Sequence, residues 1–94
     1  MYDIYIVPFD KNAEITSLEL ANKLRRNGIR VIIEMNNKKI KKCFDWANKK
    51  NIPYVTVIGE DEINNQELNI KNMTTGESTK YSFDNIDEFT ENLK

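Results

Sequence analysis

The sequence predicts an α/β domain built on a mixed five-stranded sheet between helices, and two observations predict it. As far as Gly59, runs of β-branched and aromatic residues alternate with stretches of helical period. That order demands right-handed crossovers and a parallel sheet with helices on its faces. Beyond it the pattern breaks into two alternating runs joined by Thr74–Glu77 (TTGE), which reads as an antiparallel hairpin, and ends in one short helical stripe.

Each element has a local justification. Asp3–Pro8 (DIYIVP) is a β-branched and aromatic run closed by proline, a buried strand. From Ala13 to Asn27 the residues Ala13, Ser17, Leu20, Ala21 and Leu24 fall on one helical stripe, Arg25 and Arg26 suit the negative helix end, and Gly28 stops it. Ile29–Glu34 (IRVIIE) is the second strand. Asn36 and Asn37 offer turn and cap chemistry before a second helix from Lys38 to Lys50, with Ile40, Cys43, Phe44 and Ala47 inside and lysines outside. Asn51 suits its C-terminal cap, and Pro53–Gly59 (PYVTVIG) is the third strand. Glu67–Met73 and Ser78–Phe83 are the hairpin strands. Asp84 is the expected N-cap of a last helix with Ile86, Phe89 and Leu93 on its apolar stripe.

At 94 residues the chain suffices for one core and not two, so residues 1–94 are expected to form a single domain. Lysine plus arginine, 14, nearly cancels aspartate plus glutamate, 15, so a polyanionic partner would have to be held by a local patch. One cysteine, Cys43, and no histidine exclude a disulfide framework and any histidine-assisted nucleophile within the chain. They also make a zinc site improbable, and no metal or cofactor is expected. No apolar run approaches membrane-spanning length and the first residues do not read as a signal peptide, so no membrane partner and a cytoplasmic, reducing setting are expected.

The chemistry gathers where an open α/β sheet usually receives ligands, beyond the carboxyl ends of its parallel strands. The turns after Pro8, after Glu34 (MNNKK) and after Ile58 (GEDE) all reach that edge. The last two set carboxylates beside amides and the first lysines of a helix, a mixture suited to a polyanion with polar bases. Taken alone, GEDE reads sooner as a solvated turn that ends a strand than as a recognition site, with Glu60 and Asp61 there for solubility. The lysines at 38, 39, 41, 42, 49 and 50 read as a charged outer helix face of which only the first turn points toward this edge. Trp46 lies at the border of its helix's apolar stripe, and Tyr54, Tyr81 and Phe83 read as strand packing.

VPFDKNAEITSLELANKLRRNGIRVIIE, KKIKKCFDWANKKNIPYVTVIGEDE and LNIKNMTTGES, taken in order, resemble the anticodon-binding domain of class II aminoacyl-tRNA synthetases over essentially the whole chain. IPYVTVIGEDE followed by NIKNMTTGE is the specific part, and it looks most like the C-terminal domain of histidyl-tRNA synthetases. The resemblance implies a three-layer α/β/α fold with strand order 2-1-3-4-5 and strand 4 antiparallel. It further implies a role in gripping the tRNA anticodon loop, with histidine tRNA as the partner, for a separate catalytic domain. By position it carries anticodon contacts onto Asn37, Lys38, Lys39, Glu62 and Lys71. Cys43 stands where the histidyl pattern commonly has glutamine, and no synthetase catalytic motif is present. The domain alone is expected to be monomeric. A stand-alone regulatory or protein-interaction domain reusing the fold is the alternative, and a small enzyme is disfavoured because histidine, metal cluster and phosphate-binding glycine loop are all missing.

Overall fold

The computed structural model describes residues 1–93. Five strands, β1 (Ile4–Pro8), β2 (Val31–Ile33), β3 (Tyr54–Ile58), β4 (Glu67–Asn72) and β5 (Ser78–Ser82), form one sheet in the order β2-β1-β3-β4-β5. β1 pairs in parallel with β2 and β3, whereas β4 runs antiparallel to β3 and β5. The sheet order and the antiparallel fourth strand agree with the sequence reading. α1 (Glu14–Arg26), α2 (Ile40–Lys49), α3 (Glu60–Asn65) and α4 (Asp87–Leu93) complete the chain.

Strand alternation sorts the core into two layers. Ile4 and Ile6 of β1 face Leu20 and Leu24 of α1 together with Ile86 and Phe89 near α4, all buried. Tyr5 and Val7 face the opposite way, onto Cys43 and Ala47 of α2. All five residues of β1 are buried, as befits a strand flanked by β2 and β3 and covered on both faces.

Both crossover helices stop by the same device. After α1 the Ile29 N–H reaches the Leu24 carbonyl at 3.1 Å and the Gly28 N–H reaches that of Arg25 at 3.0 Å. After α2 the Ile52 N–H reaches Ala47 at 2.9 Å and the Asn51 N–H reaches Asn48 at 3.2 Å. These are Schellman closures, which need a left-handed residue: Gly28 has φ 83° and Asn51 has φ 57°. Each is followed by a buried isoleucine that anchors the chain as it enters the next strand.

Three local expectations need correction. GEDE is not a turn: Glu60–Asn65 forms α3, whose first turn holds Glu60, Asp61 and Glu62 beside the positive helix end. The second helix begins at Ile40, so Lys38 and Lys39 precede it and no side chain of Asn36 or Asn37 caps it. Asp84 is not an N-cap; Ser82 Oγ accepts from the Asp84 N–H at 3.2 Å, a short 3-10 turn spans Phe83–Asn85, and the helix proper starts at Asp87. The hairpin turn is as expected. Asn72 Oδ1 accepts from the N–H groups of Thr74 and Thr75 at 2.9 and 3.1 Å. At the far edge of the sheet, Arg25 donates to the Val31 carbonyl at 3.0 Å, and Arg30 forms an ion pair with Asp3 at 2.8 Å.

Candidate nucleic-acid interface

Because Leu68 and Ile70 turn into the core, the same strand presents Glu67, Asn69 and Lys71 to the α2 face. Register then places Lys80 opposite Asn69 and Ser78 opposite Lys71. α2 packs over β1 and leaves Asn69, Ser78 and Lys80 exposed. A concavity of about 200 Å3 opens between helix and strand, lined by Phe44, Val57, Glu62, Asn69, Lys71 and Ser78. The Lys71 ammonium lies 5.0 Å from the centre of the Phe44 ring, a cation over an aromatic face.

Glu62 reaches this place because α3 exists. It is the third residue of the helix, and its Oε1 accepts from the Gly59 N–H at 2.7 Å, the carboxylate half of a capping box. The approach is close: a Cβ at position 59 would stand 3.3 Å from that same oxygen and 3.4 Å from Phe9 Cβ, so a larger residue would press the carboxylate back by a few tenths of an ångström. Half-buried Glu62 also borders a second, acid-lined hollow of about 320 Å3 with Phe9, Asp10, Glu60 and Asp61. Phe9 is 61% exposed there.

The structure thus unites Glu62 with Lys71 and places Lys38 elsewhere. The Lys38 ammonium is turned down against Glu34, 3.4 Å from Oε1, and lies 4.9 Å over the centre of the Trp46 ring. Asn37, with φ 57°, and Lys39 flank it and are exposed. Buried Glu34 accepts from the Tyr5 hydroxyl and from the Asn36 N–H at 2.8 Å. Burial alone would raise the Glu34 pKa, but the Tyr5, Asn36 and Lys38 donors outweigh it and hold the carboxyl below the usual glutamate range. The Tyr5 hydroxyl is pushed far above its ordinary value, first by burial and then by its bond to Glu34.

Phe44, Asn69, Ser78 and Lys80 were not singled out from the sequence, although strand parity contained the signal. Any residue two positions from Lys71 on β4, or paired with those residues on β5, must share its face. Phe44 packs on the inner face of its helix, as its place in the apolar stripe predicts, yet is partly exposed.

With this geometry in hand, the anticodon binding domain profile matches residues 3–93. The chain belongs to the anticodon binding domain family. It is 43% identical over 76 residues to histidine–tRNA ligase 2 of Shouchella clausii, a match covering 81% of this chain and 17% of that protein. Against the histidine–tRNA ligase of Caldanaerobacter subterraneus it is 37% identical over 90 residues, covering 96% of this chain and 22% of that one. The crystal structure of a Nostoc histidyl-tRNA synthetase superposes with a TM-score of 0.91 at 26% identity, covering 99% of this chain and 23% of that one. The chain therefore spans about a fifth of the length of these relatives. Among the described residues, no helix is long and apolar enough to cross a membrane.

Proposed function

We propose that this domain binds the anticodon loop of a tRNA, histidine tRNA in the first instance, and thereby supports tRNA selection for aminoacylation by a class II catalytic domain. The observation that carries the reading is the convergence of Glu62, Asn69 and Lys71 on one concavity beside the Phe44 ring. Unpaired loop bases expose faces for stacking and edges for hydrogen bonding. Glu62, with one oxygen on Gly59, keeps lone pairs for the N–H groups of a guanine edge. Lys71, Lys39 and Lys80 supply positive charge for phosphates, which positions the loop without specifying it, and Asn37 offers an exposed amide at the neighbouring turn.

The domain acts as a cytoplasmic monomer when separate from a catalytic domain, holds no metal or cofactor for this task, and binds weakly with strong salt dependence because its basic patch is small. The deciding experiment is a titration, at low and moderate salt, against the histidine tRNA anticodon stem-loop and a copy with altered anticodon bases. A preference for the native loop that vanishes in Glu62→Gln supports the reading. Equal binding of both loops, or none at low salt, moves the stand-alone regulatory role ahead of it.

A further inference from the structure

Three of the five residues onto which the resemblance carries anticodon contacts, Asn37, Lys38 and Lys39, lie on the turn between β2 and α2, and that turn is tied down from beneath. Tyr5 on β1 donates to Glu34, Glu34 holds the Asn36 N–H at 2.8 Å and the Lys38 ammonium at 3.4 Å, Lys38 covers Trp46, and the Trp46 ring centre lies 4.9 Å from that of Tyr5. The four side chains close a circuit. A carboxylate only 9% exposed is costly without such donors, so breaking the circuit at any member unsettles the others. Two further bonds fix the same segment: the Cys43 thiol donates to the Lys38 carbonyl at 3.5 Å and the Cys43 N–H to that of Lys39 at 3.0 Å.

We propose that Glu34 and Lys38 are positioning residues for RNA recognition: Lys38 locks the turn rather than meeting a phosphate, so that Asn37 and Lys39 project outward in one preset conformation. This rests on the anticodon-loop reading above. A turn ordered before binding spares the complex the conformational entropy of ordering it then. Asn37 is the segment's left-handed residue, a conformation that benefits from external support.

The salt dependence of stem-loop binding separates a lock from a contact. A lysine that pairs with phosphate releases a counterion, so its removal lowers the slope of log K against log salt by about one. Lys39→Ala is expected to do this. Lys38→Met keeps the apolar stem over Trp46 and removes the charge. It is expected to weaken binding about tenfold with the slope unchanged, the cost of ordering one or two residues on binding. Glu34→Gln is expected to match it, and the double variant to lose little more than either single one, because both open the same circuit. Trp46 is the sole tryptophan, so its emission in the free protein reports the departure of Lys38 in each variant, while the melting temperature confirms folding. A reduced slope in Lys38→Met, additive losses in the double variant, or unchanged affinity in both singles overturns the lock. Continued slope loss in Lys39→Ala would then leave the anticodon-loop reading standing. Absence of stem-loop binding by the wild type at low salt removes that reading, and the proposal with it.

Discussion

Glu62 caps α3, and under the proposed function the same carboxylate also reads a base; two substitutions pull these tasks apart. Glu62→Ala deletes the oxygen held 2.7 Å from the Gly59 N–H, leaving the α3 entrance without its side-chain acceptor. Loss of such a cap costs about 1 kcal/mol. A chain of this length unfolds with an entropy of about 0.2 kcal/mol per kelvin, so the melting temperature should fall by about 5 °C. Glu62→Gln retains a carbonyl oxygen in nearly the same place. A neutral acceptor is worth roughly half a charged one, which leaves a fall of about 2 °C. For RNA the ranking changes: Gln presents one acceptor and one donor where Glu presents two acceptors, so both variants should lose the preference for the native anticodon. Thermal denaturation by circular dichroism and stem-loop titration on the same samples read the two tasks separately. An unchanged melting temperature in Glu62→Ala would refute the capping role. Full discrimination in Glu62→Gln would refute base reading by Glu62 while leaving the cap intact.

Lys71→Ala should weaken binding of native and altered loops alike and reduce the salt slope by about one, measured by titration across a salt series. Glu34 predicts an acid limb. Its pKa is lowered in the folded state, so the stability it contributes is complete above its ordinary value near 4.5 and is lost as the pH falls below it. Glu34→Gln should flatten that part of a urea-midpoint-against-pH profile. Leu24→Ala removes a side chain with no exposed surface and should cost about 2–5 kcal/mol in denaturant unfolding without altering the salt slope of residual binding. Gly28→Ala, at φ 83° with open space around the new methyl, should destabilise by about 1 kcal/mol through backbone strain alone.

The sheet was legible because its signals are local and repeated. Period-two runs, the TTGE turn and the Gly28 and Asn51 stops each state their role within a few residues. α3 was missed because six residues with one half-buried isoleucine, Ile63, make no apolar stripe. Glycine followed by three acids then reads as a turn. The usable cue was glutamate at the third helical position, reaching back toward the residue that starts the helix. The site was legible in part. Glu62 and Lys71 line one concavity, which takes both the α3 turn that carries Glu62 and the β3–β4 register that places Lys71. The inward posture of Lys38 was not legible, because it follows from a carboxylate just past β2 and an indole in the second turn of α2, neither of which marks itself as a partner for a lysine.

The two outer strands also bear on how the molecule behaves in a crowded solution. A sheet of fixed order has two free rims, and a rim of unpaired backbone invites another chain to add a strand. One rim here is β2, three residues long, with its Val31 carbonyl already taken by Arg25. The other is β5, whose Ser78, Thr79, Lys80 and Ser82 are exposed and polar. Neither rim offers a long apolar template, so sheet-to-sheet aggregation is discouraged at both ends, and the charge of exposed Lys80 repels a second copy of its own strand.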